Sequence, residues 1–237
     1  MSSDDKKITR GTDREKVDAF LQQVARTPGI RKTGEKGRLI FAMDATASRE
    51  PTWDQACHIQ AQMFEETDKL GGLEIQLSYY RGFREFDAGP WMDTASALQR
   101  RMTAVRCQGG MTQIGRLLDH ALAETRRKKV NALVFVCDAM EEDVEQLSRK
   151  AGQLGLLGVP VFLFHEGGDP TAARAFKHFA QLSGGACCPF DSRSADQLRD
   201  LLSAVAVYAA GGRKALESFS ARRGNEIKRL TSQLRKG

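Results

Sequence analysis

The sequence predicts an α/β fold: a doubly wound, Rossmann-like, mostly parallel central sheet of about six strands, with helices on both faces and one short antiparallel edge strand. Two observations carry this prediction. Uninterrupted apolar runs at Leu39–Met43, Ala132–Cys137 and Pro160–Phe164 have the pattern of strands buried on both faces, as in a parallel sheet covered by helices. Between them lie longer stretches whose apolar residues recur three and four positions apart, the spacing of an amphipathic helix. The alternation of the two, with no internal repeat or low-complexity tract, is that of a doubly wound sheet. At 237 residues the chain is long enough to bury one sizeable α/β core with flanking material.

Taken in order, residues 1–11 carry few apolar side chains and read as a leader. Thr12 and Glu15 fit a capping box, and Val17, Phe20, Leu21 and Val24 continue it as a short amphipathic helix that Pro28-Gly29 ends. Residues 29–37 read as a linker. After the Leu39–Met43 strand, a helix is expected from Trp53 to Leu70, closed by Gly71-Gly72. Leu73–Tyr80 alternates as a half-buried strand, and residues 82–86 turn the chain back as the short edge strand. Helices are expected over Thr94–Val105, Gln113–Arg127, Asp143–Leu157, Thr171–Leu182 and Ser194–Ala210. The remaining strands are Ala132–Cys137, Pro160–Phe164 and Ala186–Phe190. Residues 1–37 thus form a leader, helix and linker, 38–212 the α/β domain, and 213–237 a basic tail or helix.

Composition excludes several classes. No run approaches the ~20 apolar residues of a membrane-spanning helix, and the polar start lacks a signal-peptide core. The cysteines, Cys57, Cys107, Cys137, Cys187 and Cys188, are odd in number and show no CxxC spacing, against a disulfide framework or a zinc site. A cytoplasmic protein is expected. The net charge of +6 is unevenly spread. Residues 1–38 hold ten Lys/Arg and six Asp/Glu, and residues 213–237 hold eight and two, whereas 39–212 hold 18 and 22, a net of −4. The basic excess lies in the flanks.

Chemistry is expected at the carboxyl ends of the parallel strands. There stand Asp44, Thr46 and Ser48 (a D-x-T-x-S run after the first strand), Thr112 after Gly109-Gly110, and Asp138 after the Ala132–Cys137 strand. Two carboxylates and three hydroxyls are hard oxygen ligands that suit Mg²⁺ or Mn²⁺ better than zinc. Each residue alone also has a structural reading: a loop Asp forms Asx turns or caps a helix, and Thr112 fits the N-cap of the helix beginning at Gln113.

These five residues, with the Gly109-Gly110-Met111-Thr112 run, resemble the metal-ion-dependent adhesion site (MIDAS) of von Willebrand factor type A (VWA) domains, over roughly residues 38–212. The resemblance implies a bound divalent ion, Mg²⁺ or in its place Mn²⁺ or Ca²⁺. Thr46 and Ser48 would ligate it directly and Thr112 in some states, while Asp44 and Asp138 would act mainly through waters and hydrogen bonds. It also implies a protein partner whose Asp or Glu carboxylate completes the ion's shell, and an adaptor role in a larger assembly, including ones with AAA-type ATPases or chaperones. Two departures from the family's pattern are Thr46 in place of the commoner Ser, and Ala139 rather than Gly after Asp138.

Enzymatic readings find less support. A haloacid-dehalogenase-type phosphotransferase needs a carboxylate at position 46, which is Thr, and a dinucleotide site needs G-x-G-x-x-G after the first strand. Ser48 as nucleophile needs a histidine, but His58, His120 and His178 fall within expected helices, and His165, after the fifth strand, reads as core or loop. Cys187-Cys188 reads as buried strand rather than redox pair. Trp53 and Trp91 read as core or rim packing at the entries to helices. The remaining alternative is nucleic-acid or acidic-partner binding through basic flanks such as Arg222-Arg223 and Lys228-Arg229, which lack interleaved aromatics.

Overall fold

A strand buried on both sides must be apolar throughout, and β1 (Gly37–Asp44) is buried along its whole length. In this computed structural model, which describes residues 15–24, 36–67, 70–190 and 195–234 (backbone alone beyond Ala221), β1 lies at the centre of a six-stranded sheet. The others are β2 (Leu73–Arg81), β3 (Glu85–Met92), β4 (Ala132–Cys137), β5 (Val161–Glu166) and β6 (Ala186–Phe190). The order is β3-β2-β1-β4-β5-β6, all parallel except β3, which runs antiparallel to β2.

Successive side chains of these strands enter opposite layers. Leu39, Phe41 and Met43 of β1, Val134 and Val136 of β4, and Phe162 and Phe164 of β5 share one core. It is closed by helix α1 (15–24), by α2 (Glu50–Ile59), α3 (Ala61–Thr67) and α4 (Ala95–Thr103), and by the long C-terminal α8 (Ala195–Leu234). Ile40 and Ala42 of β1, Leu133 and Phe135 of β4 and Leu163 of β5 face the other core, beneath α5 (Ile114–Arg127), α6 (Val144–Leu156) and α7 (Pro170–Ser183). The six-stranded, mostly parallel sheet with helices on both faces is the architecture expected from the sequence.

Two of the expected elements differ. The edge strand is not short: it runs eight residues and includes Gly89 and Pro90, which argue against a strand from sequence alone. An edge position tolerates them, because one side of the strand needs no ladder donor. Trp91 therefore lies in β3 rather than at a helix entry. Its ring faces the Arg38 guanidinium at 3.7 Å and its Nε1 donates to Glu124 at 2.8 Å. The helix expected over residues 53–70 is broken into α2 and α3 at Gln60, where Met63 N–H bonds the Gln60 carbonyl in a tight three-residue turn. As expected, the helix after β6 is broken at Gly211-Gly212: Gly212 leaves helical geometry (φ 70°, ψ −166°), a conformation open to glycine, and a second helical stretch runs on to Leu234 within α8.

Helix α1 buries Val17, Phe20, Leu21 and Val24, with the Phe20 ring edge-on to Phe164 at 5.4 Å. At the other end of the chain Leu216 and Phe219 are buried in the same core. The Thr12 capping residue, Pro28 and most of the linker lie outside the described residues.

Candidate metal site

The sheet order reverses between β1 and β4, so the connections from these neighbours leave in opposite directions and open a crevice at their carboxyl ends. Asp44 ends β1, and Asp138 follows the last residue of β4. The turn after β1 brings further oxygens to the same point. Thr46 is extended (φ −72°, ψ 162°) and opens a single 3₁₀ turn, Ala47–Arg49, which carries Ser48 across to the β4 side.

The result is a chain of contacts. Asp44 Oδ1 accepts the Thr46 N–H at 2.7 Å, an Asx turn. Thr46 Oγ1 lies 3.3 Å from Ser48 Oγ, and the Ser48 hydroxyl donates to Asp138 Oδ2 at 2.9 Å. Four of the five residues singled out in the sequence are thereby joined, across 90 positions between Ser48 and Asp138.

Asp44 is 1% exposed. Burial, the largest influence, pushes its carboxyl up to about 6, with Asp138 adding to the rise; the Thr46 hydrogen bonds and Arg49 oppose it. Tyr80, directly opposite Asp44 in the β1–β2 register, places its hydroxyl 3.4 Å from Asp44 Oδ2. Burial raises the Tyr80 hydroxyl well above its ordinary value, so it remains a donor.

Thr112, the fifth residue, is held differently. Its hydroxyl accepts the Glu141 N–H at 3.0 Å, and its own N–H donates to Glu141 Oε2 at 3.0 Å. This reciprocal pair pins the loop before α5 to the loop after β4. Thr112 is not the helix cap: the N-cap position is Gln113, which makes no side-chain capping bond. Glu142 caps α5 instead, accepting from Ile114 and Gly115 N–H at 2.6 and 2.7 Å. Asp143 caps α6 through the Gln146 N–H. The carboxylates after β4 are thus bound to backbone donors beside the crevice.

Sequence reasoning missed Arg49. It is 2% exposed, and its guanidinium reaches Asp138 Oδ2 at 3.7 Å and contacts Glu166 at the end of β5, where Thr52 also donates at 2.7 Å. A basic residue directly after a polar turn gives no apolar signal of burial, so only the fold reveals it. His165 is in the core: 2% exposed, edge-on to Phe176 at 5.3 Å, with Nε2 3.2 Å from the Asp138 carbonyl oxygen. His58 and His178 are exposed on α2 and α7, and His120 Nε2 lies 2.8 Å from Gln76 Oε1. Cys188 is buried and Cys187 partly so in β6; burial raises the Cys187 thiol to about 11, against thiolate chemistry. Trp53 is buried, donating to the Met102 carbonyl at 3.0 Å.

No protein-family model matches this chain, and no curated protein matches it in sequence. Solved structures match its shape. The VWA domain of SpRpn10 superposes with a TM-score of 0.56 at 14% identity, covering 69% of this chain and 94% of that one. Proximal thread matrix protein 1 from the mussel byssus gives 0.58 at 11% identity, covering 76% of this chain and 48% of that one. A further structure of that mussel protein has a zinc-occupied MIDAS motif (TM-score 0.53, 13% identity). The PilB minor pilin from Streptococcus sanguinis gives 0.52 at 8% identity, over 75% and 62%. The chain thus spans nearly all of the SpRpn10 domain but about half to two-thirds of the longer proteins. At these identities the likeness is one of fold: this is a VWA-like α/β domain.

Proposed function

We propose that the chain is a non-catalytic interaction module that holds a divalent ion, Mg²⁺ or its mimics Mn²⁺ and Ca²⁺, at the β1–β4 crevice and recognises a protein through it. The observation that carries this reading is the Ser48–Asp138 contact of 2.9 Å, which closes Asp44, Thr46, Ser48 and Asp138 into one cluster of oxygens. The donor set fits such an ion, because hydroxyl and carboxylate oxygens are hard ligands, and among the described residues no thiol or imidazole nitrogen joins them. Among the described residues no group of three or more His, Cys, Asp or Glu side chains forms a metal cluster, so the hydroxyls are needed for the shell.

Thr46 and Ser48 would supply direct oxygens. Asp44 and Asp138 would orient the ion's waters, and Thr112 borders the site on the loop that Glu141 holds. The bound ion would supply a Lewis-acidic position that a partner's Asp or Glu carboxylate completes. Arg49 keeps the Asp138 carboxylate turned toward Ser48 while partly neutralising it. The non-enzymatic part of the reading rests on Ser48, whose hydroxyl donates to a carboxylate rather than to a histidine base. Among the described residues no helix is long and apolar enough to cross a membrane. A cytoplasmic adaptor in a larger assembly, of the kind that works with AAA-type ATPases or chaperones, is the role this arrangement suits.

Calorimetric titration with Mg²⁺ and Mn²⁺ tests it. Wild type is expected to show one saturable site, lost in Ser48→Ala and in Asp138→Asn while both keep the wild-type circular dichroism. Equal heats from wild type and the two variants would overturn the assignment.

A further inference from the structure

Two of the large apolar side chains left in solvent stand beside the crevice. Phe83, in the β2–β3 turn, is 76% exposed, and Met111, two residues past Gly109, is 51% exposed. Their loops are bound to each other and to the site. The Met111 N–H donates to the Gly82 carbonyl at 3.1 Å, and the Gln108 N–H donates at 2.9 Å to the carbonyl of Ala45, the residue after Asp44. The loops also touch at Gly110, where a Cβ would run into the Gly82 carbonyl, and Gly82 itself has φ 57°. The platform is therefore rigid, and exposing two such side chains on rigid loops lowers the cost of ordering a partner against them.

The charge around them that has no ion-pair or hydrogen-bond partner of opposite sign is basic. Arg84, Arg106 and Arg116 are exposed, and among the described residues none of the three forms an ion pair. Arg116 instead braces the turn, donating to the Arg84 carbonyl at 2.6 Å and to Gln113 Oε1 at 2.8 Å. The nearby acids are engaged: Glu85 pairs with Arg81 at 2.7 Å, Asp87 with Arg101 at 2.6 Å, and Glu141, beside Met111, accepts the Thr112 N–H at 3.0 Å. An apolar pair ringed by unpaired guanidiniums fits an apolar side chain flanked by carboxylates.

We infer that Phe83 and Met111, ringed by Arg84, Arg106 and Arg116, form a docking surface for an acidic protein segment carrying a large apolar residue. The inference deepens the reading above and rests on it for one point only, that a second carboxylate of the same segment reaches the crevice. A protein segment is favoured over nucleic acid because Phe83 is a single ring paired with an aliphatic side chain, whereas strand-tracking sites present successive aromatic platforms.

The test is selection of random dodecapeptides displayed on phage against the full chain in Mg²⁺, followed by fluorescence anisotropy of the synthesised winners and of a 20-mer oligouridylate. Selected peptides are expected to combine Asp or Glu with Phe, Leu, Ile or Trp. Their affinity is expected to fall at least tenfold in Phe83→Ser and in the double variant Arg84→Glu, Arg106→Glu. These side chains are exposed, so the variants keep the wild-type melting temperature. Failure to recover such peptides, or affinity unchanged in Phe83→Ser, overturns the docking surface. Oligouridylate binding that Phe83→Ser abolishes overturns it in favour of nucleic acid. Ser48→Ala and chelator separate the two readings: peptides that need Phe83 but ignore Ser48 and chelator keep the docking surface and sink only the ion's part in it.

Discussion

Asp44 is a carboxyl in a site 1% exposed, bonded by Thr46, whose N–H donates at 2.7 Å, with the Tyr80 hydroxyl 3.4 Å away. Its ionisation near 6 in the fold, against about 4 in an unfolded chain, has a definite consequence for stability. Between those values the folded chain holds the extra proton, so stability falls as pH rises from about 4 to about 6 and stays low above it, by on the order of 3 kcal/mol. Asp44→Asn keeps an acceptor for the Thr46 N–H and removes the charge. In chelator at pH 8 the variant is expected to melt several degrees above wild type, the gap closing toward pH 4.5, while its Mg²⁺ heat is lost. A gap of the same size at both pH values would show that Asp44 is not the titrating group. That Asp44, Thr46, Ser48 and Asp138 stand together at the strand ends was foreshadowed in the sequence, because strand ends and oxygen-bearing side chains are local features. Arg49 was not, because its burial depends on Asp138 and Glu166, which the turn after β1 meets only in the fold.

At the scale of elements, the site depends on helix ends. The first turn of α5 leaves backbone N–H groups without helical partners, and Glu142, contributed from the loop after β4, satisfies two of them. Glu142→Ala is expected to cost about 1–2 kcal/mol in urea denaturation. It is also expected to loosen the Thr112–Glu141 link, seen as faster amide exchange at Thr112 and Ile114. A urea midpoint and exchange rates equal to wild type would remove Glu142 as the cap. The sequence placed acids after β4 and a helix after Thr112, but the cap lies 28 positions from Ile114, beyond the reach of local capping rules. The edge strand was expected at residues 82–86, but its continuation to Met92 was illegible for a related reason: Gly89 and Pro90 are unfavourable by propensity, and only the edge position excuses them.

At the scale of the molecule, the described parts of both flanks, α1 and the stretch around Leu216 and Phe219, are part of the domain's packing. Phe20 of α1 packs its ring on Phe162 and Phe164 of β5, and Phe162 in turn meets Tyr208 of α8 at 5.5 Å. Phe20→Ala is expected to destabilise the whole chain by about 3–5 kcal/mol in a single cooperative transition, measured by calorimetry or urea. A small local change with the main transition unmoved would show instead that α1 is a separable appendage. The core between the flanks carries a net −4 against +4 and +6 on the two sides. This division, more than the total of +6, describes the chain: the basic excess belongs to the flanking segments and the α/β domain itself is acidic.

The sequence by itself determined the fold class and the chemistry available at the strand ends. Both follow from short-range properties: apolar runs that need burial on two faces, helical spacing, and oxygen side chains at strand termini. Tertiary structure alone decided that Ser48 touches Asp138, that Thr112 is held by Glu141 rather than capping a helix, that Arg49 lies beneath the cluster, and that Phe83 and Met111 share one exposed platform. Each is a meeting of residues far apart in the chain, fixed by the register of β1 against β2 and β4 and by the reversal of strand order between β1 and β4. Local physics names the groups, and the sheet decides which of them meet.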